Sequence, residues 1–224
     1  MKFEQGFPRA VLFDLDGTLI DSAPDLVQAA NAVRHDHGLP PLPYEHLRPM
    51  VGGGARGMIG LSFGVAPGDA DFERLRDAFL RHYAQGLLRE TRVFDGIWPV
   101  LASLEASGIA WGIVTNKVTR FAEPIVQALG LAARAAVVVC GDTTPHAKPH
   151  PAPLLAAARS LALDPAACLY VGDDLRDIEA GLAAGMRTAA AAWGYLGLGE
   201  GVATWGADGV LEGPADLLKW LEMT

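Results

Sequence analysis

Short apolar runs alternate with segments of helical periodicity along most of the chain, and this rhythm is broken once by a long interval with no convincing strand. Alternation of that kind predicts βα units on a parallel sheet. The candidate strands are Ala10 to Asp14, Ala110 to Thr115, Ala136 to Cys140, Cys168 to Gly172, Thr188 to Ala192 and Gly209 to Leu211. The fifth rests on its place in the alternation, because a run of alanines is a poor strand sequence. Apolar spacing of 3.6 residues predicts helices near Trp98 to Ala106, Arg120 to Leu129, Pro151 to Leu161, Leu175 to Ala184 and Ala215 to Leu221.

The break lies between the first two strands. An interval of ~70 residues is far longer than an ordinary βα connection, so it is a helical insertion. Ser22 is a candidate N-cap, with Pro24 behind it, for a helix through Leu26, Ala30 and Val33. Gly52-Gly53-Gly54 opens a second helix around Ala55 to Leu61, and a third runs from Phe72 through Leu75, Phe79 and Tyr83. The expected organisation is an α/β core over residues 1–20 and 94–224, with an all-helical cap over residues 21–93.

Several strands end abruptly in polar groups. In VLFDLDGTL the alternation puts Asp14 and Asp16 on one side of the chain, where two anions need a cation or a shared proton. In parallel sheets, ligands bind outside the carboxyl ends of the strands. A turn with a capping acid would explain Asp16-Gly17 but not an acid that terminates an apolar strand. The second strand ends in Thr115, Asn116 and Lys117, offering a hydroxyl, an amide and an ammonium. Prolines around His150 fix a helix entry just after Lys148. The fourth strand ends in Asp173 and Asp174, and Asp177 follows one helical turn after Asp173. Acids at a helix start are often only dipole partners, so it is the full set of strand-end groups that points to a site. Hard carboxylate oxygens without a supporting His or Cys cluster favour magnesium over zinc.

The net charge of −8 lacks the electrostatic footprint of a nucleic-acid binder, so an anionic substrate needs a local cation or metal. Met1 to Pro8 have no apolar core of a secretory signal, and no stretch is long and apolar enough to span a bilayer. A cytoplasmic protein with no membrane partner is expected, as monomer or homodimer. Cys140 and Cys168 each lie in an apolar run and read as reduced, buried thiols.

The set DLDGT at 14 to 18, Thr115-Asn116, Lys148-Pro149 and GDDLRD at 172 to 177, with a helical insertion after the first motif, resembles the haloacid dehalogenase superfamily of aspartate-nucleophile hydrolases. The acid at Asp16 matches the phosphatases of that superfamily and not the metal-independent dehalogenases. FDLDGTLIDSAPDL, VTNK and VGDDLRDIEAG are similar to the phosphoglycolate phosphatase group. GGGAR, RFAEP and the late WGAD are similar to the related N-acetylmuramic acid 6-phosphate phosphatases. The resemblance implies a HAD-like fold and a phosphomonoester hydrolase acting on a small phosphorylated carboxylate, with 2-phosphoglycolate first and N-acetylmuramic acid 6-phosphate as the alternative. It implies Asp14 as nucleophile and Asp16 as acid and base. Magnesium would sit on the Asp14 carboxylate, the Asp16 main-chain carbonyl and Asp173. Thr115, Asn116 and Lys148 would bind the phosphoryl group, with Asp174 and Asp177 behind them. Gly53, Gly54 and Arg56 are candidates for closing over the substrate. A receiver-type signalling module would be about half this length, an inactive relative would be expected to lose Asp14, Asp16 or Lys148, and no GxGxxG follows the first strand as a dehydrogenase requires.

Overall fold

The computed structural model describes residues 7–222; residues 1–6, which carry most of the leader reading, lie outside the described residues. Along the chain the elements are β1 (Ala10–Phe13), β2 (Ile20–Asp21), α1 (Ala23–Asp36), α2 (Tyr44–Leu47), a 3-10 turn (Arg48–Gly53), α3 (Gly54–Phe63) and α4 (Phe72–Gly86). They continue with β3 (Arg92–Val93), α5 (Ile97–Ala106), β4 (Ala110–Val114), α6 (Thr119–Ala128), β5 (Val138–Val139), α7 (Ala152–Ser160), β6 (Cys168–Gly172), α8 (Leu175–Ala183), β7 (Arg187–Ala191), β8 (Gly209–Leu211) and α9 (Asp216–Trp220).

Six strands form one parallel sheet in the order β5-β4-β1-β6-β7-β8. The strand AVLF of β1 is buried on both faces, and its alternation divides it between two cores. Val11 and Phe13 pack with Trp111, Ile113, Leu169 and Val171 on one face. Ala10 and Leu12 pack with Val114, Tyr170, Leu154 and Ala157 on the other. Helices cover both faces, which is why these strands read as continuous apolar runs.

The alanine-rich β7 pairs with β6 and β8 on its two sides, and Ala189, Ala190 and Ala191 are fully buried. Backbone pairing and burial there override a weak propensity. At the other edge, β5 is a regular strand only over Val138–Val139 instead of the expected Ala136 to Cys140. It pairs with β4 alone, although the Ala136 N–H still donates to Trp111 O at 2.8 Å.

The interval between β1 and β4 holds the expected helices but is not free of strands. β2 and β3 form a two-residue antiparallel ribbon, Ile20 opposite Val93 and Asp21 opposite Arg92, too short to leave a sequence pattern. Helices α1, α3 and α4 build their own apolar core from residues such as Leu26, Ala30, Met58, Ile59, Phe79 and Tyr83. Phe121 and Tyr195, from beyond the insertion, pack into that core. Among the described residues no helix is long and apolar enough to cross a membrane. Cys140 and Cys168 are free and buried, and burial pushes the Cys168 thiol up to about 11.

Candidate active site

Parallel register brings the polar strand ends level. Phe13 lies beside both Ile113 and Val171, so the residues just past β1, β4 and β6 emerge at one edge of the sheet. The chain runs outward from β1 to β4 and β5 on one side and to β6, β7 and β8 on the other, which makes this edge the switch point of the topology. Asp14, Asp16, Thr115, Lys148 and Asp173 all line one cavity of about 470 Å³ there, roofed by residues of the insertion.

At the floor, carboxylate oxygens of Asp14, Asp173 and Asp177 lie within 4.8 Å of one another. Lys148 reaches into the group with its side chain 2% exposed. Its Nζ is 2.8 Å from Asp14 Oδ1 and 2.7 Å from Asp177 Oδ1. The contact to Asp14 is an ion pair without good hydrogen-bond alignment. Lys148 Nζ also donates to Val114 O and to the Tyr170 hydroxyl. Asp173 accepts from Thr18 Oγ1 and from the Tyr195 N–H. Glycine makes this packing possible: a Cβ on Gly17, where φ is +86°, would overlap the Asp173 carboxylate, and one on Gly172 would overlap that of Asp177.

Three carboxyl groups around one ammonium leave an excess of negative charge in a buried site. Burial pushes the Asp14 carboxyl up to about 7; Lys148 pulls against this and Asp177 adds to it. Burial, with Asp14 and Asp177 nearby, holds Asp173 well above the ordinary carboxylate range. A hard divalent cation answers that imbalance, and the all-oxygen donor set fits magnesium. Asp177, expected behind the ligands, stands inside this cluster.

The Asp16 side chain turns instead toward the insertion. Lys117 Nζ lies 2.9 Å from its Oδ1 and 3.1 Å from its Oδ2, and Ser22 Oγ donates to Oδ1 at 2.5 Å. Ser22 does occupy the N-cap position of α1, but its hydroxyl makes no cap; Asp16 has taken it. The Tyr195 hydroxyl accepts from the backbone N–H groups of Ser22 and Ala23 in its place. Burial works against the Lys117 charge, yet Asp16 and Tyr83 outweigh it and hold the ammonium above its ordinary range.

Other expected residues have different work. Both ends of the Asn116 carboxamide are engaged by the backbone of Lys148, at 3.0 and 2.9 Å, so the side chain expected to touch substrate holds the lysine segment in place. Thr115 is buried, and its Oγ1 accepts from the Lys117 N–H. Asp174 caps α8 in a capping box with Asp177 and pairs with Arg176. Burial opposes the Asp174 charge, but Arg176 prevails and keeps this carboxyl below its usual range. Arg176 also donates to Gly52 O at 2.6 Å, which ties the glycine run to the core. Gly53, Gly54 and Arg56 line the cavity from the insertion side, with Arg56 exposed. Lys117, Tyr83, Tyr170, Tyr195 and Arg176 were not assigned from sequence. Lys117 alone carried a signal, as the ammonium at the end of the second strand.

The profile of haloacid dehalogenase-like hydrolases matches residues 11–191, from the first acid-terminated strand through β7. The chain belongs to this family. It is 46% identical over 214 residues to a protein of Pseudomonas aeruginosa named N-acetylmuramic acid 6-phosphate phosphatase, covering 96% of this chain and 95% of that one. It is also 46% identical over 211 residues to a phosphoglycolate phosphatase of Xanthomonas campestris pv. campestris, covering 94% and 95%. A solved structure described as a predicted phosphoglycolate phosphatase from Haemophilus somnus superposes with a TM-score of 0.84 at 29% identity, covering 96% of this chain and 98% of that one. The HAD-like fold and its hydrolase class follow from these matches.

Proposed function

We propose that this HAD-like hydrolase removes phosphate from a small phosphorylated carboxylate through an aspartyl-phosphate on Asp14, with magnesium as cofactor. The observation that supports this most is the Asp14 carboxylate beside Lys148 at the switch point, within a cluster of acids that one ammonium does not neutralise. It is a phosphomonoester hydrolase. Asp14 attacks phosphorus in line, and the ester P–O bond breaks with its electron pair on the leaving oxygen. The Asp16 carboxyl gives that oxygen its proton. As carboxylate, Asp16 then takes a proton from the water that attacks the aspartyl-phosphate. Lys148 and Thr115 bind phosphoryl oxygens and hold them for the in-line geometry. Asp14, Asp173 and the Asp16 main-chain carbonyl would hold the magnesium, and Asp177 keeps Lys148 in position. When bound, the metal neutralises phosphate charge that would otherwise repel the anionic nucleophile.

The first substrate reading is 2-phosphoglycolate, the acid named for the Xanthomonas relative. A second reading, N-acetylmuramic acid 6-phosphate, is favoured by the cavity: about 470 Å³ lies within the roughly 300–1,000 Å³ that encloses drug-sized ligands, far more than a two-carbon phosphoester fills. Both substrates are small metabolites, in keeping with a cytoplasmic enzyme. Steady-state kcat/KM on the two esters, with magnesium and with EDTA, tests the proposal. Activity on neither, or full activity in thoroughly chelated enzyme, overturns it.

A further inference from the structure

A buried ammonium is costly unless it is paired and held, and Lys117 is both. Its side chain is 8% exposed and contacts both oxygens of Asp16. Its Nζ lies 4.9 Å from the ring centroid of Tyr83, which comes from α4 of the insertion. Tyr83 is itself fixed, stacked on Phe79 and tilted over Phe121 with centroids 6.3 and 5.2 Å away. Asp16 Oδ1 receives both Ser22 and Lys117, whereas Oδ2 receives only the longer Lys117 contact. The carboxyl group is therefore locked in rotation, with Oδ2 as the oxygen left for a moving proton.

We propose that Lys117 is a positioning residue for Asp16. Its ammonium, braced against Tyr83, fixes the carboxyl that exchanges the leaving group's proton, so proton transfer depends on the insertion being docked on the core. This rests on the acid–base reading of Asp16. In that step the P–O bond breaks, its electron pair stays on the leaving oxygen, and the proton on Asp16 Oδ2 moves there to give the alcohol. Lys117 gains and loses no bond.

Leaving-group dependence separates positioning of the acid from general support of the site. A phenolate such as p-nitrophenolate departs without a proton, while an alkoxide needs one. With magnesium present, kcat/KM, which covers the steps through departure of the leaving group and leaves out the aspartyl-phosphate hydrolysis that both esters share, is compared on 2-phosphoglycolate and p-nitrophenyl phosphate for Lys117→Met, Lys117→Arg and Tyr83→Leu, with Asp16→Ala as reference. For Lys117→Met the alkyl-to-aryl ratio of kcat/KM falls by about tenfold or more, the loss expected for one charge-assisted hydrogen bond. Lys117→Arg recovers part of the ratio, and Tyr83→Leu lowers it in the same direction, acting through Lys117. If Lys117→Met does not fold, Tyr83→Leu carries the test. Equal losses on both esters overturn the proposal, because a structural lysine slows both alike. If Asp16→Ala itself does not discriminate between the esters, the acid–base reading of Asp16 fails and takes the proposal with it.

Discussion

Asp14 is the residue where charge and chemistry conflict most sharply. Asp14→Asn keeps the shape and removes the proposed nucleophile, so turnover is expected to vanish while the circular dichroism spectrum is retained. The same substitution gives a pH signature. Without metal, burial raises the Asp14 carboxyl in the folded protein from 3.8 to about 7. This group's contribution to wild-type stability therefore falls as pH rises through that window. In EDTA, Asp14→Asn should melt at or below the wild-type temperature near pH 4 and gain on it towards pH 8; a constant difference refutes the assignment of a raised Asp14. At the cavity mouth, Arg56 is the one cation of the glycine loop, and a carboxylate can take two parallel hydrogen bonds from it. Arg56→Ala should raise KM for a carboxylate-bearing ester and lower kcat/KM by roughly tenfold to a hundredfold, or about 1.5 to 3 kcal/mol. A comparable fall for p-nitrophenyl phosphate would show that Arg56 supports the fold or the phosphate instead.

At the scale of elements, the turn after β1 is built around the space a glycine leaves. Gly17→Ala forces a methyl group into the Asp173 carboxylate at a positive φ. It should destabilise the protein by about 1–3 kcal/mol and weaken magnesium binding, measured by thermal melts and by the metal concentration needed for half-maximal activity. A variant with unchanged melting and metal response would contradict the close approach seen here. Elements of this kind were only partly legible from sequence. β1, β4 and β6 were readable because burial on both faces makes them continuous apolar runs. The acids ending β1 and β6 stood out because nothing in an apolar strand calls for them. The pairing of Lys117 with Asp16, the grip of Asn116 on the Lys148 backbone and the diversion of the Ser22 hydroxyl were illegible. Each joins residues that are brought together only by the sheet order or by the turn after β1. The ribbon of β2 and β3 was missed because two residues carry no periodicity.

Over the whole molecule, the uncompensated acids at the sheet edge make metal and fold stability interdependent. Magnesium at about a hundred times its dissociation constant should add about 2.7 kcal/mol. For a chain of this size that raises the melting temperature by roughly 5 °C or more. EDTA should abolish activity and magnesium restore it. A melting temperature indifferent to magnesium would mean that the acidic cluster does not bind it.

Asp21 and Arg92 sit opposite each other in the ribbon, so the two ends of the helical insertion lie side by side. A segment whose two ends lie side by side is a cassette. It can be lengthened, shortened or replaced without shifting the register of the strands that carry Asp14, Thr115 and Asp173. A recombination event bounded by that ribbon would leave Asp14, Thr115 and Asp173 in place and exchange the cavity roof, but a new cassette would also have to supply the supports that Ser22 gives Asp16 and Tyr83 gives Lys117.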